Sequence, residues 1–206
     1  MKMAKRMLSL VLALVMLASL SVPAFADTPA KPYVQVTIEK TRDGETDSWT
    51  VPATAGESVK AALDAKDAQF HPVWTSVPDY YDPSQSHSML TAYGRTGGTA
   101  YGKVGFNKQK AKDVEYLKAA GYTDELINSI EWCSGIYEGY GLVTKNEAAN
   151  EYTYVYAGYD WTYTNDSGDQ IWDYMCCYKP AANEVIELTY TFTVTDPWVR
   201  DTPLGQ

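Results

Sequence analysis

Val34, Val36 and Ile38 alternate with polar Gln35 and Thr37 in the run YVQVTIEK at 33–40. That period of two predicts a half-buried strand. Asp43-Gly44 follows as a hairpin turn, and DSWTVPA at 47–53 returns as a second strand. The spacing then changes: Val59, Ala62, Leu63 and Lys66 fall on one helical stripe. Ser58 is the expected N-cap, although Thr54 and Glu57 also have capping-box spacing. The N-terminal unit therefore reads as strand, hairpin, strand, helix.

From 70 to 107 the periodicity disappears into a segment rich in Pro, Gly, Ser and Tyr, expected to be long and irregular, with at most short strands. Loops of that length in compact domains are usually functional or mobile. Residues 107–121 read as a helix, with Ala111, Val114, Leu117 and Ala120 on one face and Gly121 as its stop. Thr123 caps a second short helix in DELINSIEW, whose Asp124 and Glu125 suit the positive end of the helix dipole. The last third predicts strands in GLVTKN, EYTYVYA, YDWTYT, IWDYMCCYK and EVIELTYTFTV, with a turn at NDSGD. In the final one, Ile186, Leu188, Tyr190, Phe192 and Val194 form the core-facing set.

The first residues stand outside this pattern. Lys2, Lys5 and Arg6 precede an apolar run at 7–20 and the small-x-small triplet Ala24-Phe25-Ala26. This is the form of a secretory signal peptide spanning 1–26, leaving 27–206 as a single mature domain. The run is shorter than the roughly 20 residues of a membrane-spanning helix, and no lipid-anchor signal is present, so a released extracellular protein without a membrane anchor is expected. Loss of those three basic residues moves the formal charge from −9 to −12. Such acidity argues against nucleic acid and anionic membranes as partners.

Export makes disulfides available to Cys133, Cys176 and Cys177, and the odd count leaves one thiol over. A bridge from Cys133 to Cys176 or Cys177 is expected, contributing roughly 3–4 kcal/mol. If 173–178 is a strand, the adjacent cysteines face opposite ways and one of them reaches Cys133. No CxxC or HxxxH spacing offers a zinc site. His71 and His87, with Asp79 and Asp82 between them, read as solvated loop residues. The GGTAYGK match to a phosphate loop fails because Val104 replaces the Ser or Thr that would hold magnesium. NDSGD lacks the ligand spacing of a calcium loop. No nucleophile elbow is present. Hence no metal, cofactor or catalytic residue is expected, and a hydrolase using dispersed carboxylates has no positive signal.

What stands out is the aromatic content, with 17 tyrosines and six tryptophans. Tyr159, Trp161 and Tyr163 share one face of a strand, and Trp172 and Tyr174 share a face of the next if that segment is extended. Side by side, two such ribbons form either a platform of rings for a ligand or one wall of the core. Trp161, Tyr163, Trp172 and Tyr174 are the candidate ligand-binding residues, with Asp160, Asp169 and Asp173 near enough in sequence to orient polar groups and 70–107 as a candidate lid.

Gly56, Ser58 and Val59 at the helix start, Trp161 and Tyr163 in the strand, and Asn183, Glu184, Ile186, Leu188 and Tyr190 at the end carry a resemblance. The chain resembles bacterial secreted domains of unknown function that are similar to the C-terminal domain of transcobalamin and intrinsic factor. It departs from them in reading Ala-Asn-Glu for Asp-Gly-Asp and Asn-Asp-Ser-Gly-Asp for Asn-Gly, and in a long segment at about 70–148. The resemblance implies an α+β fold: a β-grasp-like mixed sheet packed on a helix, with a partly helical insertion between the N-terminal unit and the C-terminal strands. In the vitamin carriers this domain closes over cobalamin together with a helical barrel, which is absent here. The expected role is a non-enzymatic binding or cell-surface protein. Its partner would be a small molecule (a corrinoid among them), a glycan or another extracellular protein. The alternative is a structural module that assembles with another secreted protein.

Overall fold

The computed structural model describes residues 30–39, 44, 46–66, 68–79 and 81–204. The signal-peptide segment and Asp43 of the first turn lie outside the described residues. Among those described, no helix is long and apolar enough to cross a membrane.

The fold is α+β and dominated by sheet. Strands β1 (Tyr33–Ile38) and β2 (Asp47–Pro52) form the expected hairpin, and α1 (Val59–Asp64) follows. The Ser58 hydroxyl caps α1 by accepting the Ala61 amide at 3.2 Å, which decides the start in favour of Ser58. After α1 come β3 (Val73–Pro78), β4 (Ser86–Gly94), β5 (Ala100–Gly102) and β6 (Val104–Gly105). Then follow α2 (Ala111–Ala119), α3 (Asp124–Ser129), β7 (Glu131–Trp132), β8 (Tyr140–Asn146), β9 (Glu151–Thr164), β10 (Val185–Val194) and β11 (Trp198–Arg200).

The main sheet runs β2-β1-β10-β9-β8-β7, with β6 and β11 also paired to β9. Only the β1–β10 pair is parallel among these described pairs; Val36 lies opposite Leu188. Register places Val36, Trp49, Leu188 and Tyr163 in one row across the apolar face. The opposite face carries Gln35, Thr37, Thr50, Thr162, Thr189 and Thr191, all half-buried. Val59, Ala62 and Leu63 of α1 pack on the apolar face, as the helical stripe predicts.

Three segments differ from the sequence expectation. First, 70–107 is not an irregular loop. It holds a second, antiparallel sheet in the order β3-β4-β5, whose Leu90 and Tyr93 join the core of the main sheet. Its strands lack a period of two because burial along β3 and β4 is irregular and the pairing shifts register at Val73 and Trp74. Trp49 stacks on Phe70 with ring centroids 5.1 Å apart, fastening the two layers.

Second, EYTYVYA and YDWTYT are one strand that continues through Gly158. A Cβ there would lie 2.6 Å from the Val104 carbonyl oxygen and 2.7 Å from the Tyr156 hydroxyl, so only glycine lets β6 pair beside it. Third, IWDYMCCYK is not a strand. It crosses the face as an irregular segment with a turn at Tyr174, whose carbonyl accepts the Cys177 and Tyr178 amides at 2.8 and 2.9 Å. Smaller differences also occur. The helix predicted over 107–121 is the shorter α2, with Ala111 and Ala120 exposed. Gly121 ends it at φ +93° as expected.

Candidate functional site

A cavity of about 380 Å³ opens between β4, the Asp160, Trp161 and Tyr163 stretch of β9, and the segment 170–175. Along that stretch Gln170 forms a bridge opposite Thr164, and the Ile171 amide donates to the Tyr163 carbonyl at 2.9 Å. Of the four candidate residues, Trp161, Tyr163 and Tyr174 line the cavity. Trp172 does not. It is 90% exposed and lines a second hollow with Asp79, Tyr81 and His87. Trp172 and Tyr174 would share a face only in an extended segment, and this one turns. The two hollows meet at Asp173 and Tyr174, which line both.

The ring wall is held rigidly. The Trp161 indole N–H donates to the Tyr101 carbonyl at 3.0 Å, and its ring tilts against Tyr190 at 5.2 Å and Tyr93 at 6.1 Å. Tyr163 is buried and meets Tyr178 edge-on, and Tyr178 in turn donates to Glu184. Among the described residues the Tyr163 hydroxyl has no hydrogen-bond partner, and burial pushes its phenol far above the ordinary value. The face at 159–163 is therefore mostly core, with Trp161 half-exposed at its rim.

Polar groups converge from several elements. Asp160 and Lys103 form an ion pair at 3.6 Å on the cavity wall. Lys103 also lies over the Tyr156 ring at 4.3 Å and the Tyr140 ring at 5.1 Å. Burial raises the Asp160 carboxyl above the usual aspartate range, and Lys103 opposes that shift. Gln170 donates to the Tyr163 carbonyl at 3.1 Å. Asp169 does not line the cavity; its amide closes the NDSGD turn on the Asn165 side chain at 2.9 Å. Met89, Lys103 and Gln170 were not among the sequence candidates. Lys103 ends the GGTAYGK match, which falls on the β4–β5 connection and β5 and is followed directly by β6 and not by a helix.

The cysteines form no disulfide. Cys133 follows β7, where its amide donates to Tyr140 at 2.8 Å and partial burial raises its thiol. Cys176 and Cys177 lie in the Tyr174 turn, not in a strand, so they do not face opposite ways: their sulfurs are 3.7 Å apart. Both face the His87 imidazole, with Nδ1 3.7 Å from Cys176 Sγ and 3.2 Å from Cys177 Sγ. Desolvation of its sulfur and the Cys176 thiol push the Cys177 thiol up to about 11.

The β3–β4 turn positions His87. The Asp79 carboxylate accepts the Tyr81 and Asp82 amides, both at 2.8 Å, and its Oδ2 meets His87 Nε2 at 2.9 Å. Those amides hold the Asp79 carboxyl below the usual range. Asp82 instead ties the turn to Ser84 and Gln85. His71 lies at the opposite, open end of the hairpin, beside Gly94. About ninety residues separate His87 from the cysteine pair. No local spacing announces the cluster, and the only sequence signal was the rarity of adjacent cysteines beside a single histidine in an Asp-rich turn.

No family model matches this sequence, and a search of curated proteins finds no significant match.

Proposed function

We propose that this is a secreted, non-enzymatic binding protein that holds a small polar ligand, a sugar ring or a flat organic molecule, in the cavity at Trp161. The observation that carries the reading is the pairing of a fixed ring wall with convergent polar groups from separate elements: Asp160, Lys103, Gln170 and Asp173. Stacking on Trp161 and Tyr174 supplies contact area, and the polar groups set orientation. The volume lies near the lower end of the roughly 300–1,000 Å³ range for ligand sites. It suits one or two sugar rings, whereas a whole corrinoid would have to lie across the mouth. The β1–β2 hairpin, α1 and the parallel β1–β10 pair are compatible with the β-grasp-like arrangement that the sequence resemblance implies.

A second reading, assembly with another extracellular protein, draws on the exposed Trp172 and Tyr81 rings outside the cavity. Titration with monosaccharides, oligosaccharides, flat aromatic compounds and corrinoids, followed by tryptophan fluorescence, tests the cavity reading. Cavity binding predicts a saturable change that Tyr174→Ala and Gln170→Ala weaken and Trp172→Ala leaves in place. A response abolished only by Trp172→Ala would move the site to the outer hollow.

A further inference from the structure

We propose that His87, Cys176 and Cys177 form a binding site for a thiophilic d10 cation, Zn(II) or Cu(I). Among the described residues these three place their ligand atoms within 4.8 Å of one another. The edges of that triangle fit a metal polyhedron. A tetrahedral Zn(II), with bonds of about 2.3 Å to sulfur and about 2.0 Å to nitrogen, sets S···S at about 3.8 Å and S···N at about 3.5 Å. The structure has S···S at 3.7 Å and S···N at 3.7 and 3.2 Å. An ion entering the triangle therefore needs shifts of only tenths of an ångström.

The surroundings are those of a prepared site. Asp79 binds the far imidazole nitrogen, which puts the proton on Nε2 and aims the Nδ1 lone pair at the sulfurs. The Tyr174 ring stacks on His87 at 4.3 Å, nearly parallel, and fixes its plane. The Ser88 amide donates to Cys176 Sγ at 3.3 Å, a bond that strengthens when the sulfur becomes a thiolate. The cysteine turn is anchored by the start of α1, where the Lys60 and Val59 amides donate to the Met175 and Tyr178 carbonyls at 2.8 and 3.0 Å. Two thiolates and one imidazole are the donor set that Zn(II) and Cu(I) favour over hard cations. Binding releases the two thiol protons to solvent and leaves the imidazole neutral. With three protein ligands, Zn(II) keeps a fourth position for water or an exogenous group.

The test uses reduced protein carrying Cys133→Ser, so that Cys176 and Cys177 are its only thiols. Co(II) is titrated under argon, then displaced by Zn(II), and Cu(I) is titrated separately. The expected result is one ion per chain, with Co(II) giving thiolate charge-transfer absorption of an intensity appropriate to two sulfurs and intense tetrahedral d–d bands. Cys176→Ser, Cys177→Ser and His87→Asn should each lower affinity by at least 100-fold. Asp79→Asn should lower it by about 10- to 100-fold. Circular dichroism checks the fold of each variant, and the Co(II) spectrum of the unmutated cluster stands even if a variant misfolds. Failure of the reduced protein to bind any of these ions, a spectrum without thiolate bands, or affinity unchanged in the Cys and His variants would overturn the site.

Discussion

The Trp161 indole N–H donates to the Tyr101 carbonyl at 3.0 Å, so a side chain of the main sheet is bonded to the backbone of the smaller sheet. The Tyr190 hydroxyl makes a parallel connection to the Gly102 carbonyl at 2.7 Å. One ring thus serves both as a tie between layers and as the wall of the cavity. Trp161→Phe should keep most of the packing but remove the donor, at a cost of about 1–2 kcal/mol. Trp161→Ala should cost about 3–4 kcal/mol. Urea denaturation of the two variants measures both. Equal and negligible costs would mean that the indole is not part of the joint.

Reduction should not destabilise the metal-free protein. A Cys133 bridge to the 176–177 pair would contribute roughly 3–4 kcal/mol, yet Cys133 sits beside Tyr140 and the other two beside His87. In the presence of a chelator, the denaturation midpoint should be the same with and without a phosphine reductant, and Cys133→Ser should change stability by less than about 1 kcal/mol. A large drop on reduction would restore the disulfide.

Gly158→Ala should be among the more damaging single-methyl changes in this chain. The added carbon would sit within 2.6–3.0 Å of Val104, Tyr156 and Gly105, two of these contacts being backbone that cannot swing aside. A loss of about 2 kcal/mol or more is expected. Amide exchange should rise first at the β6–β9 pairing, where the strand has to give way.

Asp160 gives a signed pH dependence. Desolvation of this half-buried carboxyl raises it above the ordinary aspartate value, and Lys103 only partly offsets that. The folded state therefore binds that proton more tightly than the unfolded state, and this residue's contribution falls as pH rises from the ordinary value through the raised one. Asp160→Asn removes the effect. The stability of wild type relative to this variant should decline over that window and level off above it. A difference that instead rises with pH would mean that the Lys103 pair outweighs burial.

The parts of the fold that could be read in advance are those in which one face is apolar throughout. Val34, Val36 and Ile38, and likewise Ile186, Leu188 and Tyr190, alternate because one side of the main sheet is covered and the other is threonine-rich. The β3–β5 layer escaped because its strands are short and shifted in register, and Trp49, Phe70 and Tyr93 hold it by ring contacts that have no periodicity. The segment 171–179 reads as a strand in the sequence, yet tertiary anchoring to α1 decides its path. That path places Trp172 outside the cavity and brings together the two cysteines that a strand would hold apart. Trp161, Tyr163 and Tyr174 line one cavity.

The most direct measurement is a ligand-observed NMR screen of a broad fragment and saccharide library against the wild type and Met89→Trp. Met89 is 48% exposed on the cavity wall, so a larger side chain there can fill the space without disturbing the core. The account predicts a set of polar, ring-containing binders for the wild type that Met89→Trp loses. No binders at all, or the same binders in both proteins, would contradict a ligand site at Trp161.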